Sequence, residues 1–352
     1  MSEKPIRLAD IAKAAGVSQG TASNVFSRPH LVREEVRDRV KAKAREMGYN
    51  GPDPKGRLLR AGKVNAIGVV TAEPLSYFFD DPYARVLMSG ITEACDAGGA
   101  GISLVSAQSG DELVWNINSA IVDGFILFCL EGDSRLVDLT RERKLPFIAL
   151  ALGFEDESIP AIGVDNKLGA GMVARHLAEL GHRRVAILSL PFVDDRFGPA
   201  SMDEVRGAVY STSSDRIYGY LDGLSEFGID PADVPIFETQ NDTQTIRPGL
   251  EYLFGRDAPP TAILAMSDRI ALDVLEWLRE RDLRVPEDVS VAGFDGVPEA
   301  GLSRPPLTTV EQPIAEIGRR AVQAILEEGG PAHRQMLDLK LVVRGTTAPP
   351  KV

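Results

Sequence analysis

Residues 16–27, GVSQGTASNVFS, admit two incompatible readings. Gly16-Val17-Ser18-Gln19-Gly20 fits the G-x-S-x-G spacing of a hydrolase nucleophile elbow, whereas the whole stretch reads as the turn and second helix of a DNA-binding unit. An elbow needs a strand running into the turn, so that the serine stands strained above a sheet, with an acid and a histidine downstream. The residues before Gly16 are IAKAA, an Ala-rich helical run, and the chain has only four histidines, His30, His176, His182 and His333. The elbow lacks its context. The helix-turn-helix has it: Leu8, Ile11, Ala12 and Ala15 recur at helical spacing up to a stop at Gly16, and Ser18 is placed to cap a second helix. Ala22, Val25 and Phe26 share one face of that helix. A third helix is predicted in REEVRDRVKAKAREMGY, where Val36, Val40, Ala44 and Met47, preceded by Val32, line one side up to Gly48. These apolar faces close a small core. They leave the polar residues of the second helix, Gln19, Thr21, Ser23 and Asn24, open to base edges and phosphates.

Charge separates the chain in the same place. Residues 1–63 hold fourteen Lys or Arg against seven Asp or Glu, a balance of +7, so the remainder carries −19 of the total −12. A basic head attracts phosphates, and an acidic body discourages wrapping of nucleic acid elsewhere. With 352 residues the chain is long enough for two or more domains. No apolar run approaches the roughly 20 residues of a membrane span, and MSEKPIRLADIAKAAG has no apolar core beside its basic residues, so a cytoplasmic location and no membrane partner are expected. Cys95 and Cys129 sit alone in apolar settings and read as buried free thiols rather than a redox or metal pair.

After Tyr49, NGPDPKGRLLRAGK is rich in Pro, Gly and basic residues and reads as a linker. From Ala66 onward, short apolar runs (AIGVV, GISLV, DGFILF, PFIALA, RVAILS, TAILAM, VSVAGF) alternate with helical stretches such as YARVLMSGITEACDAG and RIALDVLEWLRERD. That alternation implies parallel sheets covered on both faces, and its length implies two α/β lobes with a cleft where the strands' carboxyl ends converge. The expected division is a helix-turn-helix head over 1–50, a linker over 51–63 and a core over 64–352. The N-lobe is expected over about 64–164 and 296–325, the C-lobe over about 165–295 and 326–352.

Residues 6–49, IRLADIAKAAGVSQGTASNVFSRPHLVREEVRDRVKAKAREMGY, together with GRLLRAGKVNAIGVV, DPYARVLMSGI, VDGFIL, GVDNKLGAGMVARHLAELGHRRVAIL, DRIYGYLDGL, TAILAMSDRIALDVLEWLRERDLRVPEDVSVAGFDG and PPLTTVEQPIAEIGRRAV, follow one another in the order of a known family. Over nearly its whole length the chain resembles the LacI/GalR family of transcriptional repressors. The resemblance implies a non-enzymatic regulator without a cofactor. It implies a homodimer placing two heads on a near-palindromic double-stranded DNA operator, and a two-lobed core like that of periplasmic binding proteins, taking a small effector, a sugar or nucleoside, in its cleft. On the DNA side it implies contacts from Ser18, Gln19, Gly20, Thr21, Ser23 and Asn24, and a linker helix pressing Leu59 into the minor groove, where an apolar wedge kinks a base step. For a linker leucine, a solvent-exposed or dimer-contact role is the alternative. Three departures stand out: Asn24 where the family usually has Arg, Gly20 at a base-contacting position, and a linker one residue longer with Gly56 for a typical Ala. Without the Arg the half-site is expected to differ, and Gly56 makes a linker helix about 1 kcal/mol harder to order.

On the effector side the resemblance implies Tyr83 as the pocket aromatic, with Asp165, Arg216 and Asp295 facing the ligand, and Asp268 nearby beside Ser267, which replaces a usual Asn. The alternatives are ordinary packing for Tyr83, an interlobe salt bridge for Arg216 and Asp295, and helix caps for Asp165 and Asp268. One segment fits the family poorly: PFVDDRFGPASMDEVRGAVYSTSS, before Arg216, is longer and more acidic than the usual connection. It is expected to border the cleft and tune effector choice through Tyr210 and Thr212. Asp194-Asp195 as a metal pair lacks a His or third carboxylate at ligand spacing, so no metal is expected. A solute-binding module without DNA activity is disfavoured by the head, and an enzyme by the missing phosphate loop, dinucleotide fingerprint and triad. The final stretch has no leucine-heptad tail, so a dimer is expected rather than a tetramer built by that route.

Overall fold

The structure, a computed structural model, describes residues 6–49, 51, 63–108, 110–128, 134–150, 158–327 and 334–351. Leu59, Gly56 and all of the expected linker except Gly51 and Lys63 lie outside the described residues, as does Cys129. The chain forms two units, Met1–Val64 and Asn65–Val352.

In the first unit, α1 (Leu8–Ala14), α2 (Gln19–Ser27) and α3 (Glu34–Glu46) enclose Ile11, Ala12, Ala15, Ala22, Val25, Val40 and Ala44. Gly16 turns the chain out of α1 with a φ of 65°, in the left-handed region that glycine enters without steric cost. Two residues later the Ser18 hydroxyl accepts the Thr21 N–H at 3.0 Å and starts α2. A single 3₁₀ turn, Pro29–Leu31, carries the chain to α3. Tyr49 then closes the core edge-on against Phe26, ring centroids 5.7 Å apart.

The second unit contains thirteen described strands: β1 (Ala66–Thr71), β2 (Gly101–Ser106), β3 (Gly124–Phe128), β4 (Phe147–Leu150), β5 (Ala161–Val164), β6 (Val185–Ser189), β7 (Gly198–Ala200), β8 (Ile236–Glu238), β9 (Ala262–Ala265), β10 (Ser290–Asp295), β11 (Thr308–Glu311), β12 (Gln335–Leu337) and β13 (Lys340–Val342). They build two sheets. The N-lobe sheet, in the order β12-β5-β4-β3-β1-β2, is parallel throughout. The C-lobe sheet, β13-β11-β10-β9-β6-β8-β7, is parallel at its centre and antiparallel at both edges, where β13 joins β11 and β7 joins β8. Six of the seven apolar runs became inner strands, where helices on both faces leave no polar side to them, while GISLV became the edge strand β2. β3, for instance, is buried at all five positions.

The lobe boundaries differ from those expected. β11 pairs with β10 in the C-lobe, so the chain returns to the N-lobe only after Glu311, not at 295/296. β12 pairs with β5 in the N-lobe, so the last crossing falls between β12 and β13, not at 325/326. Strands this short have the same composition in either sheet, and only their pairing partners decide the lobe. In each lobe two helices meet through glycine. An added Cβ at Gly90 would lie 2.0 Å from the Ala315 carbonyl oxygen, and one at Gly219 would lie 2.2 Å from the Lys167 carbonyl oxygen.

Candidate functional site

In the head, α2 buries Ala22 and Val25, and its other side carries the polar residues expected there. Ser18, Gln19 and Gly20 are exposed, and Thr21, Ser23 and Asn24 are half-buried. Ser18 has a structural task as cap of α2, and its oxygen also lies 2.9 Å from the Thr21 hydroxyl. The first turn of α2 thus presents short polar groups, with its free N–H groups, to whatever faces it.

In the core, a cleft of about 720 Å³ opens between the lobes. Its walls are residues just beyond the carboxyl ends of strands: Ala72 and Glu73 after β1, Gln108 after β2, Leu190 after β6, Gln240 and Asn241 after β8, and Ser267 after β9. This is where parallel sheets leave backbone ends and loops free to converge. Of the effector residues expected from the sequence, Tyr83, Tyr210, Thr212, Arg216, Ser267 and Asp295 line it. Asp165 and Asp268 do not. Asp165 caps the helix Asn166–Glu179 by accepting the Leu168 N–H at 2.8 Å. Asp268 is fully buried and accepts the N–H groups of Gly296 (2.7 Å) and Val297 (2.9 Å) and the Thr309 hydroxyl, pinning the loop after β10. It follows the cap rather than being one, since Ser267 caps that helix through Ile270 N at 3.1 Å. Burial pushes the Asp268 carboxyl up to about 6, held back by those three donors.

The floor of the cleft is a buried polar pair. Arg216 rises from the helix Ser211–Ser225, its guanidinium 3.7 Å over the Phe294 ring, and Asp295 ends β10. Arg216 Nη1 lies 3.6 Å from Asp295 Oδ1, Arg216 Nε donates to Asn166 Oδ1 at 2.9 Å, and Gln312 Nε2 donates to Asp295 Oδ1 at 2.8 Å. Both charges belong to the C-lobe, so the pair is not the interlobe bridge that the sequence allowed. Burial drives the Asp295 carboxyl well above the usual carboxylate range against the pull of Arg216. Asp295 also holds a φ of 132°, a conformation that costs a side-chain-bearing residue about 1–3 kcal/mol. Gly296 follows at φ 77°, where a Cβ would come 2.6 Å from the Glu311 Cα. Backbone strain is thus held at a cleft-lining carboxylate.

Opposite stands an aromatic wall. Tyr83, second residue of the helix Pro82–Gly98, is stacked on Phe128 with rings 10° from parallel and centroids 6.1 Å apart. The long segment before Arg216 is ordered. Glu238, fully buried in β8, accepts the Phe192 N–H at 2.6 Å and pairs with Arg196, which also pairs with Glu204. This wiring adds β7 to the sheet and sets Asp194, Tyr210 and Thr212 at the cleft, with the Tyr210 hydroxyl donating to Asp194 at 2.7 Å. Aromatic faces, a fixed guanidinium and carboxylates suit a polar ring with several hydroxyls. Sequence reading missed Asp81, Asn166, Asn241, Arg269 and Gln312 on the cleft. Asp81 alone carried a local signal, a helix-capping Asp before Pro82. Among the described residues no group of acidic, His or Cys side chains is placed to hold a metal, and no helix is long and apolar enough to cross a membrane.

A helix-turn-helix head and a two-lobed α/β core with a ligand-sized cleft define a DNA-binding transcriptional regulator with a ligand-binding domain. Residues 7–51 match the model of bacterial regulatory proteins of the lacI family, and residues 174–347 match the periplasmic binding protein-like domain. The chain is 34% identical over 361 residues to an HTH-type transcriptional regulator of Mycobacterium tuberculosis, covering 99% of each. It is similar to the crystal structure of a LacI family transcriptional regulator from Corynebacterium glutamicum, at 31% identity and a TM-score of 0.73 over 97% of this chain and 98% of that one. It is similar, too, to the regulator CelR in complex with cellobiose, at 27% identity and a TM-score of 0.69 over 97% and 100%. The chain belongs to the LacI family of bacterial regulatory proteins.

Proposed function

We propose that this protein is an effector-controlled repressor that binds a near-palindromic operator as a homodimer, with a small sugar or nucleoside in the interlobe cleft setting its operator affinity. The observation that carries the reading is the pairing of Tyr83 on the N-lobe with Arg216 and Asp295 on the C-lobe across one cleft. A ligand that touches both walls prefers one lobe spacing, and such a preference shifts the population of conformers. A coupling of about 1–3 kcal/mol would give roughly 5- to 150-fold regulation. Likeness to the regulator CelR, whose structure is a complex with cellobiose, supports a carbohydrate as the effector. In the head, Gln19, Gly20, Thr21, Ser23 and Asn24 are the candidate base and phosphate contacts, with Leu59 the candidate minor-groove wedge. Asp194, Tyr210 and Thr212 are the candidate selectivity residues of the long segment.

The test is selection from a randomised duplex pool, with a variant lacking residues 1–62 as control, followed by titration of the selected duplex complex with sugars and nucleosides. A two-fold symmetric site recovered only by the full chain, and released or tightened by one of those compounds, is the expected result. Equal behaviour of both proteins, with and without the compounds, would overturn the repressor reading.

A further inference from the structure

Two lobes joined by three chain crossings hinge freely unless their facing surfaces hold one another. Two polar links pass from lobe to lobe: Arg85 on the N-lobe pairs with Glu299 on the C-lobe, both side chains solvent-accessible, and a buried relay runs through Asp81. On the N-lobe, Asp81 Oδ1 caps the helix Pro82–Gly98 by accepting the Ala84 N–H at 3.1 Å. Its Oδ2 accepts from Asn241 Nδ2 at 3.3 Å and lies 3.6 Å from Arg269 Nη1, both on the C-lobe. Asn241 Oδ1 in turn accepts the Ser267 hydroxyl at 2.8 Å, and Ser267 caps the helix Asp268–Glu280. The relay therefore joins the N-cap of one lobe's cleft helix to the N-cap of the other's.

We propose that Asp81 and Arg269 are positioning residues for the effector response. Their pairing clasps the lobes without any ligand and sets where Tyr83, two residues along the capped helix, stands opposite Ser267 and Arg216. The proposal rests on the cleft being the effector site. Its physical basis is the burial of one carboxylate. Asp81 is 2% exposed, so bringing the lobes together strips it of water, and a buried carboxylate is tolerated only beside a cation and hydrogen-bond donors. With the lobes apart, Asp81 and Arg269 are both hydrated and neither suffers. Burying Asp81 on closure is thus favourable only while Arg269 and Asn241 meet it. Both ends of the Asn241 amide are used in the closed relay. An effector reaching Ser267 therefore competes with Asn241 for its hydroxyl and acts on the relay itself.

The test measures the distance between one spin label on each lobe of the full chain, with neither small molecule nor DNA. Arg269 is a third exposed, so Arg269→Gln does not endanger folding, and Asp81→Asn keeps the helix-capping oxygen. The expected result is an interlobe distance moved to longer values in Arg269→Gln, by less in Asp81→Asn, and returned to that of the unaltered protein in Arg269→Lys. Arg269→Gln at unaltered distances, or Arg269→Lys as open as Arg269→Gln, would overturn the clasp. Because no effector is used, that failure would leave the effector reading standing. Failure of the effector reading would show instead in the titration of the duplex complex.

Discussion

Arg216 and Asp295 tie the stability of the core to the proposed effector site. Arg216 is 4% exposed, and its loss would leave Asp295, 6% exposed, buried without its cation. Breaking such a pair from one side costs about 3–5 kcal/mol. Arg216→Ala is therefore expected to lower the urea stability of the core by that order and to abolish the effector's influence on operator binding, whichever its direction. A core of unchanged stability would show that the pair is hydrated in solution. His182 makes a second residue-scale case, far from the chemistry of the cleft. It is 1% exposed, with Nε2 donating to the Ala348 carbonyl at 2.9 Å and Nδ1 2.9 Å from the Thr261 hydroxyl, which ties the C-terminal stretch to the C-lobe. Burial holds its imidazole below the ordinary value of 6.5. Below that value the unfolded chain binds a proton that the folded chain refuses, so stability rises with pH up to about 6.5 and is flat above. Melting temperatures of His182→Gln across pH 5–8 should show a weaker rise on the acid side than the unaltered protein. Parallel curves would mean that other groups govern the acid limb. Asp165 and Asp268 show what single residues conceal: each stood in a motif of the right kind, but whether a carboxylate faces a cleft or a backbone N–H depends on neighbours that no local spacing reveals.

Helices and strands were legible to the extent that they carry their own period. The three helices of the head follow from caps, a glycine stop and apolar residues at helical spacing, because each signal lies within a few residues of the feature it produces. The seven apolar runs of the core became β1, β2, β3, β4, β6, β9 and β10 for the same reason. The short strands β7, β8, β12 and β13 were not legible, since three residues hold too little pattern and form only where a sheet edge receives them. Glycines divide similarly. Gly90 is needed because helix packing brings the Ala315 carbonyl against it, whereas a Cβ at Gly20 would meet nothing closer than the Ser18 hydroxyl oxygen at 3.8 Å. Gly90→Ala should destabilise the core by about 1–3 kcal/mol through overpacking. Gly20→Ala should stabilise the head by up to about 1 kcal/mol through helix propensity. Differential scanning calorimetry of the two variants checks the opposite signs, and a stabilised Gly90→Ala core would show that its helices separate at no cost.

At the scale of the molecule, the charge division, a basic stretch of +7 before an acidic one of −19, was present in composition alone and agrees with a head that meets phosphates and a core that does not. Family membership was equally legible, because motifs spread over the whole chain occur in one order. The two-lobed architecture followed from alternating strands and helices, but the lobe boundaries did not, as the placement of β11 and β12 shows. The cleft was legible as a location at strand ends, and six of its expected residues do line it. The clasp across it was not, since Asp81, Asn241 and Arg269 lie far apart in the chain and meet only when the lobes close. By itself the sequence determined the three helices of the head, the seven longer apolar strands of the core, where the basic stretch ends and which family the chain belongs to, since periodicity, caps and charge act over short separations. Tertiary structure alone decided which carboxylates are structural, which sheet each edge strand joins and what holds the lobes together. Those outcomes rest on pairings between distant residues, whose energies arise only once the chain has brought them out of water and into contact.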